Sequence, residues 1–217
     1  MKHIYFVRHG ETLKNRGHVH QGPEEPLTEL GRKQAAAVAI ELKKKGIDTV
    51  VTSPFVRARE TAAIIADELE VSFSVTESVK EFRRPDPLYG SSHYSLASLN
   101  YIWRLFLNRA NDDWDDHGAE NMFAIRNRII DAKRFLAQAE GERIAVVSHA
   151  IFIDMFTQAV CADRSLQFKE FLGGLFGAKK LPNTGVVAFQ LDETAPPETC
   201  NWWLLAEDTN EHYLKYR

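Results

Sequence analysis

Short apolar runs alternate with longer amphipathic segments along most of the chain. The apolar runs are typical of strands buried on both faces, because they lack the regular alternation of polar residues seen in half-exposed strands. They occupy residues 3–7, 49–53, 71–75, 144–148, 184–191 and 201–206. We therefore predict a central sheet built from these six segments.

The segments between the strands carry a helical pattern. Apolar residues recur at every third or fourth position, as on one face of an α-helix. The segments with this pattern are 27–46, 56–70, 94–110, 122–139 and 150–160. Strands that alternate with helices favour a parallel sheet covered on both faces. The predicted fold class is α/β, a three-layer sandwich with a mostly parallel central sheet flanked by helices.

The alternation is interrupted between residues 76 and 142. A polar, proline-containing loop occupies 80–95, and an acidic turn follows at 111–118. Loop signals of this kind, without a new strand between them, indicate an insertion. We predict a single domain over residues 1–217, in which residues 76–142 form a helical and loop cap over one end of the sheet.

Composition narrows the range of partners and locations. The chain has 27 lysines and arginines against 30 aspartates and glutamates, and its net charge is −3. No nucleic-acid or membrane partner is therefore predicted. No apolar run reaches the roughly 18 residues of a membrane span, and an apolar secretory signal is lacking, so we expect a cytoplasmic location. Cys161 and Cys200 match no zinc or disulfide framework, and reduced thiols are expected.

Three predicted strands end beside residues that suit phosphate chemistry. Arg8 and His9 end the first strand, Arg57 follows the second, and His149 follows the fourth. Ligands of open α/β sheets bind beyond the carboxyl ends of the strands, so these residues should meet at one edge. Guanidinium groups match phosphate oxygens with paired hydrogen bonds, and the N-termini of the helices after Ser53 and His149 add backbone donors.

The two histidines predict chemistry beyond binding. A neutral imidazole can attack phosphorus and hold the phosphoryl group covalently. Neighbouring arginines help to keep an imidazole neutral, because they disfavour another positive charge. The leaving oxygen also needs a proton donor. Glu81, at the exit of the third strand, is the candidate acid, and Asp86 in the same loop is its rival.

These residues lie in motifs that resemble the histidine phosphatase superfamily, also called the phosphoglycerate mutase-like superfamily. The motifs are FVRHGET at 6–12, SPFVRARET at 53–61, the Glu81 segment and VVSHA at 146–150. Their combination is specific, and the resemblance extends from residue 4 to about residue 187. The chain departs from many members in VVSHA, where glycine is usual at the position of Ala150.

The resemblance implies a catalytic role for five residues. His9 would carry the phosphoryl group during the reaction. Arg8, Arg57 and His149 would hold that group. Glu81 would act first as the acid and then as the base that activates water.

Further residues are candidates for contact with the substrate. They are Asn15, Gln21 and Gly22 from the family pattern, and Arg83 and Arg84 from the polar loop. The resemblance implies no metal and no other cofactor for this chemistry. The spacing of His18 and His20 does not by itself predict a metal site, because no third ligand accompanies them.

A phosphohistidine intermediate has two fates. Transfer to water would make the protein a phosphomonoester hydrolase, and transfer to a second substrate hydroxyl would make it a mutase. The loop FRRPDPLYGSSHYS at 82–95 lacks the Tyr-Gly-x-Leu-x-Gly-Leu-Asn-Lys type of segment of the mutases proper, and QGPEEPLT at 21–28 is closer to the phosphatase branch. We therefore expect a metal-independent phosphatase acting on a small-molecule phosphomonoester. A mutase and a non-catalytic phosphate-binding scaffold are the alternatives, and an exposed aromatic face on helix 94–110 leaves a homodimer open.

Overall fold

The structure is a computed structural model that describes residues 1–161, 181–195 and 200–208. The strands are β1 (Lys2–Arg8), β2 (Thr49–Thr52), β3 (Phe73–Val75), β4 (Arg143–Ser148), β5 (Val186–Leu191) and β6 (Trp202–Asp208). The helices are α1 (Leu13–Arg16), α2 (Glu29–Lys44), α3 (Val56–Leu69), α4 (Leu96–Leu107), α5 (Met122–Gln138) and α6 (Ala150–Ala159). Across these described ranges, no helix has the length and apolar character needed to cross a bilayer.

The strands form one sheet with the order β3-β2-β4-β1-β5-β6. The first four strands in this order are parallel to their neighbours, whereas β5 pairs antiparallel with both β1 and β6. The prediction of a mostly parallel sheet is confirmed. The antiparallel pairing of β5 was not predicted, because the pattern of apolar residues does not depend on the direction of a strand in the sheet.

Helices cover both faces of the sheet. One cluster of buried side chains joins α2 and α3 to one face, and a second cluster joins α4, α5 and α6 to the other. Consecutive strand residues contribute to opposite clusters, as Phe6 and Val7 of β1 show. The three-layer α/β sandwich is therefore confirmed. The helices α4 and α5 lie in the segment predicted as a cap, and their buried residues belong to the second cluster together with residues of the sheet. The boundaries of the cap at residues 76 and 142 stay a prediction.

Local capping explains where several helices begin. Thr28 Oγ1 accepts a hydrogen bond from the Gly31 amide before α2, at 2.9 Å, and Asn121 Oδ1 accepts one from the Ala124 amide before α5, at 2.8 Å. The helix α6 begins directly after β4, with His149 at its N-cap position and without a side-chain cap from that residue. The amides of its first turn are therefore available to acceptors from elsewhere in the chain.

Two expectations from the sequence are wrong. Among the described strands β3 pairs with β2 alone, and its three residues are exposed rather than buried on both faces. Cys161 and Cys200 form a disulfide, with Cα atoms 5.1 Å apart, where the sequence predicted reduced thiols. They meet because α6 packs against β6 through Phe156 and Trp202. A separation of 39 residues in sequence does not reveal this contact.

Candidate active site

The carboxyl ends of three neighbouring strands meet at one edge of the sheet. In the parallel pair β1 and β4, Arg8 lies opposite Ser148, and the His9 amide donates to the Ser148 carbonyl at 3.0 Å. On the other side of β4, the Ser53 amide donates to the Val147 carbonyl at 3.0 Å. The rings of His9 and His149 lie 5.2 Å apart between their centroids. The convergence expected from the sequence is thus present.

Two hydrogen bonds define the protonation of His9. Its Nδ1 lies 2.7 Å from the Gly10 carbonyl oxygen, which can only accept, so Nδ1 carries the proton. Its Nε2 accepts a hydrogen bond from Arg57 Nε at 3.2 Å. A second contact fixes the guanidinium, because Arg57 Nη1 donates to the Gly22 carbonyl at 2.8 Å. The result is a neutral ring whose Nε2 lone pair faces the arginine.

The electrostatic surroundings keep both histidines neutral. Burial, followed by the charges of Arg57 and Arg8, lowers the pKa of His9 well below its ordinary value. Burial and the charge of Arg57 lower the pKa of His149 in the same direction. Burial also lowers the pKa of Arg8 and of Arg57 to about 10, which leaves both arginines charged at neutral pH. The site therefore combines fixed positive charge with two neutral imidazole rings.

Several buried nitrogen atoms at this edge have no partner within the described part of the chain. They include His149 Nδ1 and Arg8 Nε. His149 is fully buried and its Nε2 is already bonded to Ser53 Oγ at 2.8 Å. Buried polar atoms normally have partners, and these two lie beside concentrated positive charge. The arrangement fits an anion that would accept hydrogen bonds from the unused donors.

Glu81, rather than Asp86, lies beside the arginines. Glu81 Oε1 accepts from the Phe152 amide in the first turn of α6 at 3.1 Å. The Glu81 charge partly offsets the lowering by burial of the pKa of Arg8 and of Arg57. Its other oxygen, Oε2, makes no hydrogen bond within the described residues. Asp86 is exposed and lies 3.6 Å from the exposed Arg83. Of the two candidate acids, Glu81 is therefore the one that lies close to Arg8 and Arg57.

The segment after β1 supplies the other predicted residues. Gly22 contributes the carbonyl that holds Arg57, and Gln21 Oε1 accepts from Thr12 Oγ1 at 2.7 Å. Asn15 Oδ1 accepts from the Thr12 amide at 3.1 Å, while its Nδ2 is buried without a partner among the described residues. This segment therefore lies along the site, and the Asn15 amide offers a further unused donor.

The two loop arginines have different environments. Arg83 has a side chain that is 50% exposed, and it is paired with Asp86, so the structure does not bring it to the cluster. Arg84 is only 6% exposed, and its charge lowers the pKa of Arg57. Of the two candidates, Arg84 is the one whose charge acts on Arg57.

Sequence reasoning left three supporting residues without a role. Ser53 binds His149, Thr61 Oγ1 accepts from the Gly10 amide at 3.1 Å, and Asn183 Nδ2 donates to the His9 carbonyl at 3.1 Å. Ser53 and Thr61 both belong to the motif SPFVRARET, and Asn183 lies just before β5. For Ser53 and Thr61 the motif was the available signal, but the partners of the three residues lie 51 to 174 residues away in sequence.

Comparison with known proteins gives consistent results. The family model described as the histidine phosphatase superfamily (branch 1) matches residues 4–192. A probable phosphoglycerate mutase GpmB of Erwinia tasmaniensis is 30% identical over 162 residues, which cover 74% of this chain and 75% of that protein. The corresponding protein of Serratia proteamaculans is 32% identical over the same length and shares of the two chains.

Solved structures show the same fold. A mycobacterial glucosyl-3-phosphoglycerate phosphatase in complex with VO3 has a TM-score of 0.75 at 21% identity, covering 97% of this chain and 100% of that one. A phosphoserine phosphatase of Entamoeba histolytica in complex with 3-phosphoglyceric acid has a TM-score of 0.73 at 23% identity, covering 98% and 100%. At these identities, the similarity establishes the fold alone.

Proposed function

Because this chain belongs to the histidine phosphatase superfamily, branch 1, we propose that it hydrolyses a phosphomonoester through a phosphohistidine formed on His9. One observation carries the proposal. The Nε2 lone pair of a neutral His9 lies in a cluster that also holds the charges of Arg8 and Arg57. A nucleophile and an anion-binding set in the same place suit attack on phosphorus.

In the first step, His9 Nε2 attacks phosphorus and the bond to the ester oxygen breaks. The electron pair of that bond stays on the leaving oxygen, which takes a proton from the carboxylic acid form of Glu81. Arg57 Nε exchanges its bond to His9 for a bond to a phosphoryl oxygen. Arg8, Arg57 and His149 Nδ1 balance the charge on the phosphoryl oxygens in the transition state.

In the second step, water attacks the phosphohistidine. The Glu81 carboxylate takes a proton from the water, the N–P bond breaks, and its electron pair returns to His9 Nε2. Free phosphate leaves, and both residues regain their starting protonation. Throughout, the bond from His9 Nδ1 to the Gly10 carbonyl holds the ring with Nε2 towards phosphorus.

A mutase reaction is the second candidate. It is favoured by relatives that are named probable phosphoglycerate mutases and are 30% to 32% identical to this chain. In that reaction, a second substrate hydroxyl replaces water and Glu81 accepts the proton of that hydroxyl. A non-catalytic scaffold would not need the free oxygen of Glu81 beside the arginines.

Rapid quenching with a radiolabelled aryl phosphate tests the proposal. We expect acid-labile, base-stable label on the wild type, with free phosphate released, and no label on His9→Ala. An aryl leaving group needs little protonation, so Glu81→Gln should still form the intermediate but release phosphate about 10² to 10⁴ times more slowly. Label should therefore accumulate on that variant.

Asp86→Asn is the matched control and should behave like the wild type. Slow turnover of Asp86→Asn with normal turnover of Glu81→Gln would reassign the acid. Label that passes to an added alcohol rather than to water would favour the mutase. No label on the wild type, with tight phosphate binding, would contradict the enzymatic proposal and favour a scaffold.

A further inference from the structure

The peptide unit between Gly10 and Glu11 has a partner at both of its polar groups. The Gly10 carbonyl accepts the hydrogen bond from His9 Nδ1 at 2.7 Å, and the Glu11 amide donates to Gln34 Oε1 at 2.8 Å. The C=O and N–H groups of a planar trans peptide point in opposite directions, so a partner that holds the N–H also directs the C=O. Gln34 therefore holds in place the carbonyl that binds the His9 ring.

Gln34 is an unusual residue for the face of α2 on which it lies. It is only 3% exposed, whereas glutamine side chains are mostly exposed in folded proteins. Its Oε1 must face the Glu11 amide, because a backbone N–H can only donate. The other buried residues of α2 are glycine or apolar, namely Gly31, Ala35, Ala37, Val38, Ala39 and Leu42. Packing alone does not call for a carboxamide here, and the bond to Glu11 gives it a role.

The backbone at Gly10 depends on such an external contact. A Cβ atom on Gly10 would lie 2.9 Å from the Gly31 carbonyl carbon, and one on Gly31 would lie 2.8 Å from the Glu11 nitrogen. The start of α2 therefore touches this backbone so closely that both positions require glycine. Glycine restricts its own backbone little. The direction of the Gly10–Glu11 peptide is set by its partners, Gln34 at the N–H and the Thr28 amide, which donates to the Glu11 carbonyl at 2.9 Å.

The Gly10 carbonyl matters most once an anion is bound. Before binding, two contacts select the tautomer of His9: the Gly10 carbonyl at Nδ1 and Arg57 Nε at Nε2. The proposed first step moves Arg57 Nε to a phosphoryl oxygen, so the Gly10 carbonyl is then the remaining contact of these two. If the peptide turned over, its N–H would face Nδ1 and the ring proton would move to Nε2, which could no longer attack phosphorus.

We propose that Gln34 is a positioning residue, which acts through the Gly10–Glu11 peptide to keep the His9 proton on Nδ1 and the lone pair on Nε2 while an anion occupies the site. Hydrogen bonds in such a chain polarise one another, so the bond to Gln34 also makes the Gly10 carbonyl a stronger acceptor. The inference rests on the proposed role of His9 as nucleophile, and it adds a residue of α2 to the machinery of that reaction.

Three variants separate positioning from stability. Gln34→Met removes the acceptor and keeps an unbranched side chain that fits a core. Gln34→Glu keeps an oxygen at the same place along the side chain. Val38→Ala is the matched control, because Val38 lies one turn further along α2 and is fully buried in the same core. It should lower stability without affecting the Glu11 amide.

The tautomer can be measured without any turnover. Nitrogen-15 NMR spectra of histidine-labelled protein, saturated with inorganic phosphate at alkaline pH, report which ring nitrogen carries the proton, and His9→Ala assigns the signals of His9. We expect the proton on Nδ1 in the wild type, in Gln34→Glu and in Val38→Ala. In Gln34→Met we expect the signals to move towards the form protonated at Nε2.

The rate of labelling measures the consequence for the reaction. In the rapid-quench experiment with aryl phosphate, Gln34→Met should label His9 about tenfold more slowly, since one hydrogen bond that selects the reactive tautomer is lost. Its affinity for inorganic phosphate should be unchanged, because the arginines of the site are retained. Gln34→Glu should recover most of the rate, and Val38→Ala should be labelled at the wild-type rate.

The outcomes separate this inference from the proposed function. If the wild type is labelled but Gln34→Met keeps the wild-type tautomer and labelling rate, the positioning role is wrong and the phosphatase stands. If the wild type is not labelled, the spectra still decide: a Gln34→Met ring that stays protonated at Nδ1 overturns the inference, and one that becomes protonated at Nε2 supports it. Equal changes in Gln34→Met and Val38→Ala would indicate lost stability alone and would also overturn it.

Discussion

Acid should destabilise this protein steeply below pH 6.5, because three buried histidines resist protonation in the folded state. The residues are His9, His20 and His149, and the pKa of each is lowered, to about 3 for His20 and well below the ordinary value for the other two. In the unfolded chain each ring titrates near its ordinary pKa of about 6.5. Above that pH neither state binds the proton. As pH falls from there, only the unfolded state does.

The size of the effect follows from proton linkage. Each proton bound only by the unfolded state lowers the free energy of unfolding by about 1.4 kcal/mol per pH unit. Between pH 6 and pH 5 an unfolded histidine is on average about nine-tenths protonated, so His20, whose folded pKa is about 3, gives a loss of about 1 kcal/mol. His9 and His149 add to this loss in the same direction. Even the contribution of His20 alone is a measurable part of the roughly 5 to 15 kcal/mol that is usual for a domain.

Urea unfolding at pH 7, 6 and 5, followed by tryptophan fluorescence, measures this loss. The buffer must contain no phosphate, because an anion bound at the folded site would add its own pH dependence. His20→Gln should reduce the loss between pH 6 and pH 5 by about 1 kcal/mol. His117→Asn, at an exposed histidine, is the control. A wild-type loss below about 1 kcal/mol, or an equal loss in His20→Gln, would refute the reasoning.

Three shorter predictions follow from other contacts. Ser53→Ala removes the partner of His149 Nε2. It should lower kcat about tenfold and weaken inorganic phosphate binding, with partial rescue by Ser53→Thr, whereas unchanged phosphate affinity would contradict a positioning role. Reduction of the disulfide, or Cys161→Ser, should lower the free energy of unfolding by up to about 4 kcal/mol, since the bridge closes a loop of 39 residues. Identical urea midpoints with and without reductant would show that the cysteines are not paired in solution. Turnover should survive a strong chelator, and activity that is lost and then restored by added metal would contradict the proposed chemistry.

The cluster that we propose as catalytic, formed by Arg8, His9, Arg57 and His149, was largely predictable, because its members lie at or just beyond the ends of apolar strands. That position identifies Arg8, His9 and His149 directly, and Arg57 is identified from its place at the start of the helix after β2. The choice between Glu81 and Asp86 was not predictable. It depends on where the loop after β3 crosses the start of α6. Ser148 Oγ donates to the Val79 carbonyl at 2.6 Å, which holds this loop against β4 and brings Glu81 to the Phe152 amide.

The different environments of Arg83 and Arg84 likewise could not be predicted from the sequence. They are adjacent in one polar loop and have the same chemistry, so sequence gives no reason to separate them. In the structure, Arg83 faces Asp86 near solvent, while Arg84 is buried beside Phe82. The direction of each side chain depends on contacts with residues that are distant in sequence.

The sequence by itself determined the elements of this protein and the kind of chemistry that it carries. Apolar runs and helical periodicity are properties of neighbouring residues, so the strands, the long helices and the motif residues could be identified from them. The tertiary structure alone decided the exposed position of β3, the antiparallel edge, the Cys161–Cys200 bridge and the pairing of Ser53 with His149. These features depend on packing between segments far apart in the chain, and local patterns contain no information about which distant segment will be the partner.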